Sequence, residues 1–211
     1  FDEPTTGLHY HDVQRLIGVL QQLVERGNTV LVIEHNMDLV RAADWVVEVG
    51  PGPGIYGGEI VAEGPPDKIA QGETATGRAL KGEFSGRYTS KKREALKESP
   101  PIVVERAAQN NLKEVTLSIP RGKITLFTGP SGSGKSSLAF ETLYAEGQRR
   151  YTETLPAYAR AQVKPLPKPK VERILGLPPS IALEQKTGGL NPRSTVGTLS
   201  EVYDSLRVLY A

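Results

Sequence analysis

Residues 124–137, ITLFTGPSGSGKSS, constrain the fold more than any other stretch. An apolar, β-rich run from Ile124 to Thr128 meets Gly129, Pro130, Ser131, Gly132, Ser133, Gly134, Lys135, Ser136 and Ser137. The spacing Gly-x-x-x-x-Gly-Lys-Ser after a strand and before a helix is the Walker A, or P-loop, arrangement. Its glycines let backbone N–H groups curl around phosphate oxygens. The helix predicted over 135–145 adds the donors of its first turn. Lys135 is expected to reach the β- and γ-phosphates of ATP, and the Ser136 hydroxyl to hold Mg²⁺. A flexible Gly/Ser linker would need neither the apolar strand nor the Lys-Ser pair.

The chain has 211 residues and a formal charge of +2. That length suits one large or two small domains. So small a charge makes no case by itself for nucleic acid or an anionic membrane. The sequence contains no Cys, so disulfides and Cys-ligated zinc are excluded, and no zinc is expected. No run of apolar residues is long enough for a transmembrane helix, no signal peptide is recognised, and a cytoplasmic location is expected. The first residue is Phe, followed at once by Asp-Glu-Pro. A piece of a longer protein is therefore expected.

Asp2-Glu3-Pro4-Thr5-Thr6-Gly7-Leu8-His9 stands where an apolar strand would have just ended. An acidic pair at that place is how P-loop enzymes hold Mg²⁺ and a water. Asp2 would bind the metal and Glu3 would orient or deprotonate the attacking water. The alternative is an acidic first turn of the next helix. That helix is predicted over 11–26, where Val13, Leu16, Ile17, Leu20, Leu23 and Val24 recur at three and four. Residues 29–33 form an apolar run that suits a buried parallel strand. Glu34-His35-Asn36 follows at the end that faces ligand in doubly wound sheets. His35 is a candidate γ-phosphate sensor, or else a cap for the helix over 37–42. A strand over 44–49, a Pro/Gly-rich turn over 50–58 and a strand over 59–64 predict a hairpin. Trp45 and Tyr56 are expected to pack rather than to stack on a base. A short helix begins at Pro65-Pro66-Asp67.

Residues 71–99 are polar, with basic residues at Arg78, Lys81, Arg87, Lys91, Lys92 and Arg93. They predict a surface linker, its basic core over 81–99, that either meets DNA phosphate or is merely solvated. Residues 102–104 and the alternating Leu112, Val115, Leu117 and Ile119 predict two strands around an Asn110-Asn111 turn. Residues 155–162 suggest a further helix. Residues 164–170, KPLPKPK, read as a stiff, exposed spacer. Residues 198–210 predict an amphipathic helix. Gln185, in LEQKTGG, is nearly anonymous on physics alone.

Taken together the motifs resemble the UvrA family, the A subunit of the bacterial excision-repair nuclease, a tandem ABC-type ATPase. FDEPTTGLH is similar to its Walker B and D-loop, VIEHN to its switch-histidine loop, GPSGSGKSSLAFETLYAEGQRRY to its Walker A helix, and ALEQKTGGLNPRSTVGTLSEVYDSLRVLYA to the stretch around its Q-loop. The resemblance implies an α/β P-loop NTPase fold of ABC type, here incomplete, with the Walker B half (residues 1–80) preceding the Walker A half (residues 100–211). It implies ATP and Mg²⁺ as cofactors, Asp2, Ser136 and Gln185 toward the metal, and Glu3, His35 and Gln185 as catalytic groups. For the parent protein it implies DNA and the excision-repair B subunit as partners, a homodimer, and no membrane.

Within one ABC domain the Walker A precedes the Walker B; here the order is reversed. The Leu-Ser-Gly-Gly-like signature segment and the Cys-rich modules are absent from the sequence. Little or no turnover is therefore expected of this chain alone. The two halves either stay apart or close into one permuted core through the apolar runs 29–33 and 124–128. A transporter nucleotide domain, or a non-hydrolysing fragment kept for protein or DNA contacts, are the competing readings.

Overall fold

The computed structural model describes residues 1–82, 99–160, 162 and 166–184. Gln185, the basic positions Arg87, Lys91, Lys92 and Arg93, and the helix predicted over 198–210 lie outside the described residues. In chain order the elements are α1 (Tyr10–Glu25), β1 (Val30–Ile33), α2 (Met37–Ala42), β2 (Trp45–Gly50), β3 (Glu59–Gly64), α3 (Pro66–Ile69), α4 (Ala75–Gly82), β4 (Ile102–Ala107), β5 (Val115–Ile119), β6 (Ile124–Thr128), α5 (Lys135–Leu138), α6 (Ala145–Thr154), α7 (Ala157–Arg160) and β7 (Arg173–Leu175).

The architecture is mixed α/β. The two wholly apolar runs lie side by side: β1 pairs with β6 in parallel, from Val30 opposite Ile124 to Ile33 opposite Phe127. β6 also pairs in parallel with β2, and β2 in antiparallel with β3, giving the order β1-β6-β2-β3. Every residue of β6 is buried, as a strand covered on both faces must be. Residues 1–3 run along the free edge of β1: Ile33 N–H donates to Phe1 O and Glu3 N–H to Ile33 O, each at 2.9 Å. Strand material from before residue 34 and after residue 123 therefore shares one sheet, and neither apolar run is left with an open edge toward the other.

Each face of the sheet has its own core. On one, Val13, Ile17, Leu20 and Val24 of α1 and Leu39 and Val40 of α2 pack against Val30, Val32, Val46, Ile124 and Leu126. The three- and four-residue spacing of α1 turns those side chains inward. On the other, Ile33, Val47, Val49 and Phe127 meet a second, antiparallel sheet of order β5-β4-β7. The alternation read in 115–119 is seen as Val115, Leu117 and Ile119 buried with Thr116 and Ser118 exposed.

Several local expectations change. Residues 75–82, read as linker, form α4, whose first turn sits on the buried Glu48: Thr76 N–H donates to its Oε1 at 3.2 Å. The helix after the glycine loop does not stop at 145. It passes through a π-helical stretch, Ala139–Tyr144, into α6 and ends at Thr154, leaving only the short α7 of the piece expected over 155–162. The Pro-rich spacer is not simply exposed: Pro169 is buried, and Ala108 N–H donates to Lys170 O at 2.8 Å. Tyr56, expected to pack, is 70% exposed, because the hairpin turn holds it outward. Among the described residues no helix is long and apolar enough to cross a membrane.

Candidate functional site

β6 delivers the chain to Gly129 at the carboxyl end of the parallel strands, and α5 carries it away. Between them Gly129, Gly132 and Gly134 have φ of +130°, +72° and +112°, a region closed to most side chains. A Cβ on Gly129 would lie 2.0 Å from the Val49 carbonyl oxygen, so this position admits no larger residue. Among the described residues the backbone N–H groups of Gly132, Gly134, Lys135 and Ser136 donate to no protein acceptor. These unpaired donors on a tight loop are what an anion's oxygens would satisfy.

Lys135 folds back over the same loop, its Nζ donating to Gly129 O and Pro130 O at 2.9 Å each. Burial lowers its pKa from the ordinary lysine value, and the charges of Glu3 and Asp2 act the other way. The acidic pair and the loop lysine thus belong to one electrostatic neighbourhood, although some 130 residues separate them in sequence, because the strand bearing Asp2 and the strand bearing the loop flank β1. Ser136 is exposed at the start of α5. Ser137, by contrast, is buried, and its hydroxyl accepts from Asn110 Nδ2 at 3.0 Å. It helps to seat the helix and does not face outward with Ser136. Ser131 is exposed and Ser133 buried.

Asp2 and Glu3 are not a first-turn cap. α1 begins at Tyr10 with His9 as its N-cap, well beyond them. Glu3 has φ +40°, so the chain bends sharply as it leaves the sheet edge. Asp2 N–H donates to Leu183 O at 3.1 Å, which brings the stretch leading to residue 184 beside the acidic pair. Nor is His35 a cap. Asn36 fills that role for α2, its Oδ1 accepting from Asp38 and Leu39 N–H at 3.0 and 3.4 Å, and the His35 ring is 72% exposed.

Two features of the site carry little signal in the sequence. Glu34, 1% exposed, accepts from the N–H groups of Thr5 (2.9 Å), His35 (2.7 Å) and Asn36 (3.0 Å), and from the Thr5 hydroxyl. One carboxylate thereby fixes both the segment after Glu3 and the loop bearing His35. A charged residue directly after an all-apolar strand was the available signal. The second is the turn over 51–58, which packs on the back of the glycine loop. Gly54 N–H donates to Gly132 O at 2.9 Å and Gly58 N–H to Ser133 O at 2.8 Å. Its glycine density was the signal, since backbone this close to backbone leaves no room for Cβ.

The AEGQRR stretch proves structural. Glu146 accepts from Arg149 Nε and Nη2 and from Arg150 Nε at 2.7–2.9 Å, and Arg150 Nη2 donates to Ile174 O at 2.7 Å. This clasp ties α6 to β7. Among the described residues no cluster of three His, Cys, Asp or Glu side chains forms a metal site. A Mg²⁺ held by Asp2, the Ser136 hydroxyl and phosphate oxygens needs no such cluster, and the hard oxygen donors present suit that ion.

No family model matches the chain. It is 42% identical over 214 residues to the UvrABC system protein A of Chlamydia muridarum, an alignment covering 99% of this chain and 12% of that protein. Against the UvrABC system protein A of Thermus thermophilus it is 41% identical over 211 residues, covering 100% of this chain and 21% of the relative. A crystal structure of UvrA2 from Deinococcus radiodurans shares 45% identity over 56% of this chain and 14% of that one, at a TM-score of 0.40, too low to equate the folds. The chain is thus similar along its whole length to part of UvrABC system protein A, and spans between about an eighth and about a fifth of the length of these relatives.

Proposed function

We propose that the chain is the portion of a UvrA-type tandem ATPase in which the end of one nucleotide-binding domain meets the start of the next, and that residues 129–136 bind the phosphates of ATP. Residues 1–80 are then a Walker B, D-loop and switch-histidine half, residues 81–99 a basic linker, and residues 100–211 a Walker A and Q-loop half. The observation that carries this reading is the placement of Lys135 in the field of Asp2 and Glu3 across β1. Similarity along the whole of this chain to part of UvrABC system protein A supports it and disfavours a transporter domain.

In this reading the free N–H groups of Gly132, Gly134, Lys135 and Ser136 grip phosphate oxygens. The Lys135 ammonium leaves the Gly129 and Pro130 carbonyls for the β- and γ-phosphates. Asp2 and the Ser136 hydroxyl would hold Mg²⁺, and Gln185, outside the described residues, is proposed as a further ligand. Bound there, the ion would neutralise charge on the phosphates. Glu3 would take a proton from an attacking water, and His35, its backbone held by Glu34, would sense the terminal phosphate. The sequence has no signature segment to close over the nucleotide, so transition-state donors are missing and turnover by this chain is very slow. DNA, the B subunit and a second copy are partners of the whole protein.

Equilibrium binding of a fluorescent ATP analogue with Mg²⁺ tests the proposal. Saturable binding at submillimolar to millimolar concentration, competed by ATP, is the expected result. No binding at millimolar ATP overturns it.

A further inference from the structure

We propose that Asn111 is a positioning residue for the glycine loop, with the 51–58 turn as its second anchor; the proposal rests on reading residues 129–136 as a phosphate site. Asn111 Nδ2 donates to Gly132 O at 3.1 Å and to Gly54 O at 3.0 Å. One amide nitrogen thus bridges the glycine loop and the turn behind it. Gly54 N–H returns to the same Gly132 oxygen at 2.9 Å, and Gly58 N–H takes the Ser133 oxygen at 2.8 Å. Lys113 N–H closes the ring by donating to Gly58 O at 2.8 Å.

The direction of these bonds gives them their consequence. The C=O and the N–H of a trans peptide point opposite ways. Pinning Ser133 O to the turn therefore aims the N–H of Gly134 away from it, toward the open side of the loop. Gly134 N–H is one of the donors without a protein acceptor. The loop is held in its anion-accepting shape from behind before any anion arrives, which removes an ordering cost from binding.

Only some side chains can do this. The Asn amide nitrogen carries two hydrogens for two carbonyl oxygens, whereas a carboxylate at the same place would set its oxygens against them. The contact is also closed to bulk. A Cβ on Gly58 would lie 1.8 Å from Asn111 O, one on Gly57 2.9 Å from Ser133 Cα, and one on Gly134 2.9 Å from Leu112 Cδ2. Gly57 and Gly58 thereby gain a reason beyond turning a hairpin: they let the turn meet the glycine loop and the Asn111 segment without side chains between them.

Asn111→Ala and Asn111→Asp in the 211-residue chain test this. Two Mg²⁺-loaded ligands are titrated, a fluorescent ATP analogue and inorganic tripolyphosphate, and amide hydrogen exchange is followed over residues 129–137. Both ligands should lose about tenfold in affinity in parallel, equivalent to about 1.4 kcal/mol, with the Asp variant weaker than the Ala variant. Exchange in the loop should quicken while the exchange of β6 stays slow. A purely structural role would instead lower the unfolding midpoint and leave the affinity of the folded chain intact. If wild type binds and the variants bind equally well, or lose the ATP analogue but not tripolyphosphate, this proposal alone falls. If wild type binds neither ligand, the phosphate reading falls and takes this proposal with it. Should Asn111→Ala not fold, Asn111→Ser, which keeps a polar group but loses the reach, replaces it.

Discussion

Glu34 and Thr5 are bonded twice, the buried carboxylate accepting both the backbone N–H and the hydroxyl of a residue 29 positions earlier in the chain. The other carboxylate oxygen takes His35 and Asn36 N–H. A buried acceptor with four donors around it is stable as a set and costly to break in part.

Glu34→Gln keeps the shape but turns one acceptor into a donor that faces other donors. Leaving buried donors unsatisfied costs about 1–3 kcal/mol each, so urea unfolding should show a loss of about 2–3 kcal/mol. Exchange at Thr5, His35 and Asn36 should accelerate together. Acceleration at His35 and Asn36 alone would show that the two loops are not held as a unit.

Lys135→Ala should weaken binding of the ATP analogue at least tenfold and leave stability nearly unchanged, because among the described residues the Lys135 ammonium hydrogen-bonds to the Gly129 and Pro130 carbonyls of its own loop. A second consequence follows from charge. Glu3 and Asp2 oppose the lowering of the Lys135 pKa that burial causes. Glu3→Gln removes one of those opposing charges, so the Lys135 pKa should fall further, as read by NMR titration of its side chain. An unchanged pKa would mean that Glu3 and Lys135 are not neighbours.

How much of this was legible from residues alone varies with the range of the interaction. The glycine loop, the apolar runs 29–33 and 124–128 and the amphipathic α1 are readable, because periodicity and Gly placement are local signals. Their pairing was left open, since two all-apolar runs carry no register information and partners far apart in sequence leave no local mark. In sequence Asn111, Glu34 and the 51–58 turn carry only the signals of turn or strand-end residues. Their roles depend on backbone atoms more than fifty positions away for Asn111 and 29 for Glu34. α4 was missed for the same reason: its first turn is stabilised by Glu48, 28 positions upstream.

The Glu146 clasp sets an acid limit on stability. Hydrogen bonds from Arg149, then from Arg150, hold the Glu146 carboxyl down to about 2, against the opposing effect of burial. A carboxyl whose folded pKa lies below its unfolded value stabilises the fold above the unfolded pKa, and that contribution is lost as pH falls toward the folded one. The window is therefore from about pH 4.5 down to about 2. Arg150 is 40% exposed, and screening by solvent reduces what the pair contributes. We expect Glu146→Gln to cost about 1–2 kcal/mol at pH 7 and to flatten the pH dependence of the unfolding free energy within that window. An unchanged slope there would place the acid sensitivity elsewhere.

Gly129→Ala should be far more damaging than Gly7→Ala, although both glycines have positive φ, +130° and +75°. At Gly7 nothing lies within 4 Å of an added Cβ. That variant bears only the backbone strain of a left-handed alanine, about 1 kcal/mol. At Gly129 the same methyl would lie 2.0 Å from Val49 O, the backbone of a neighbouring strand that is itself paired to β6 and β3. Relief requires the glycine loop to move away from β2 or the two strands to part. Strain at so disfavoured a φ and overpacking each cost about 1–3 kcal/mol, so a loss of about 3–5 kcal/mol is expected in urea unfolding. Whatever folds should bind the ATP analogue poorly, because the loop can no longer hang from the end of β6 in register with Val49. Equal stability of the two variants would mean that the close approach between the glycine loop and β2 does not exist in solution.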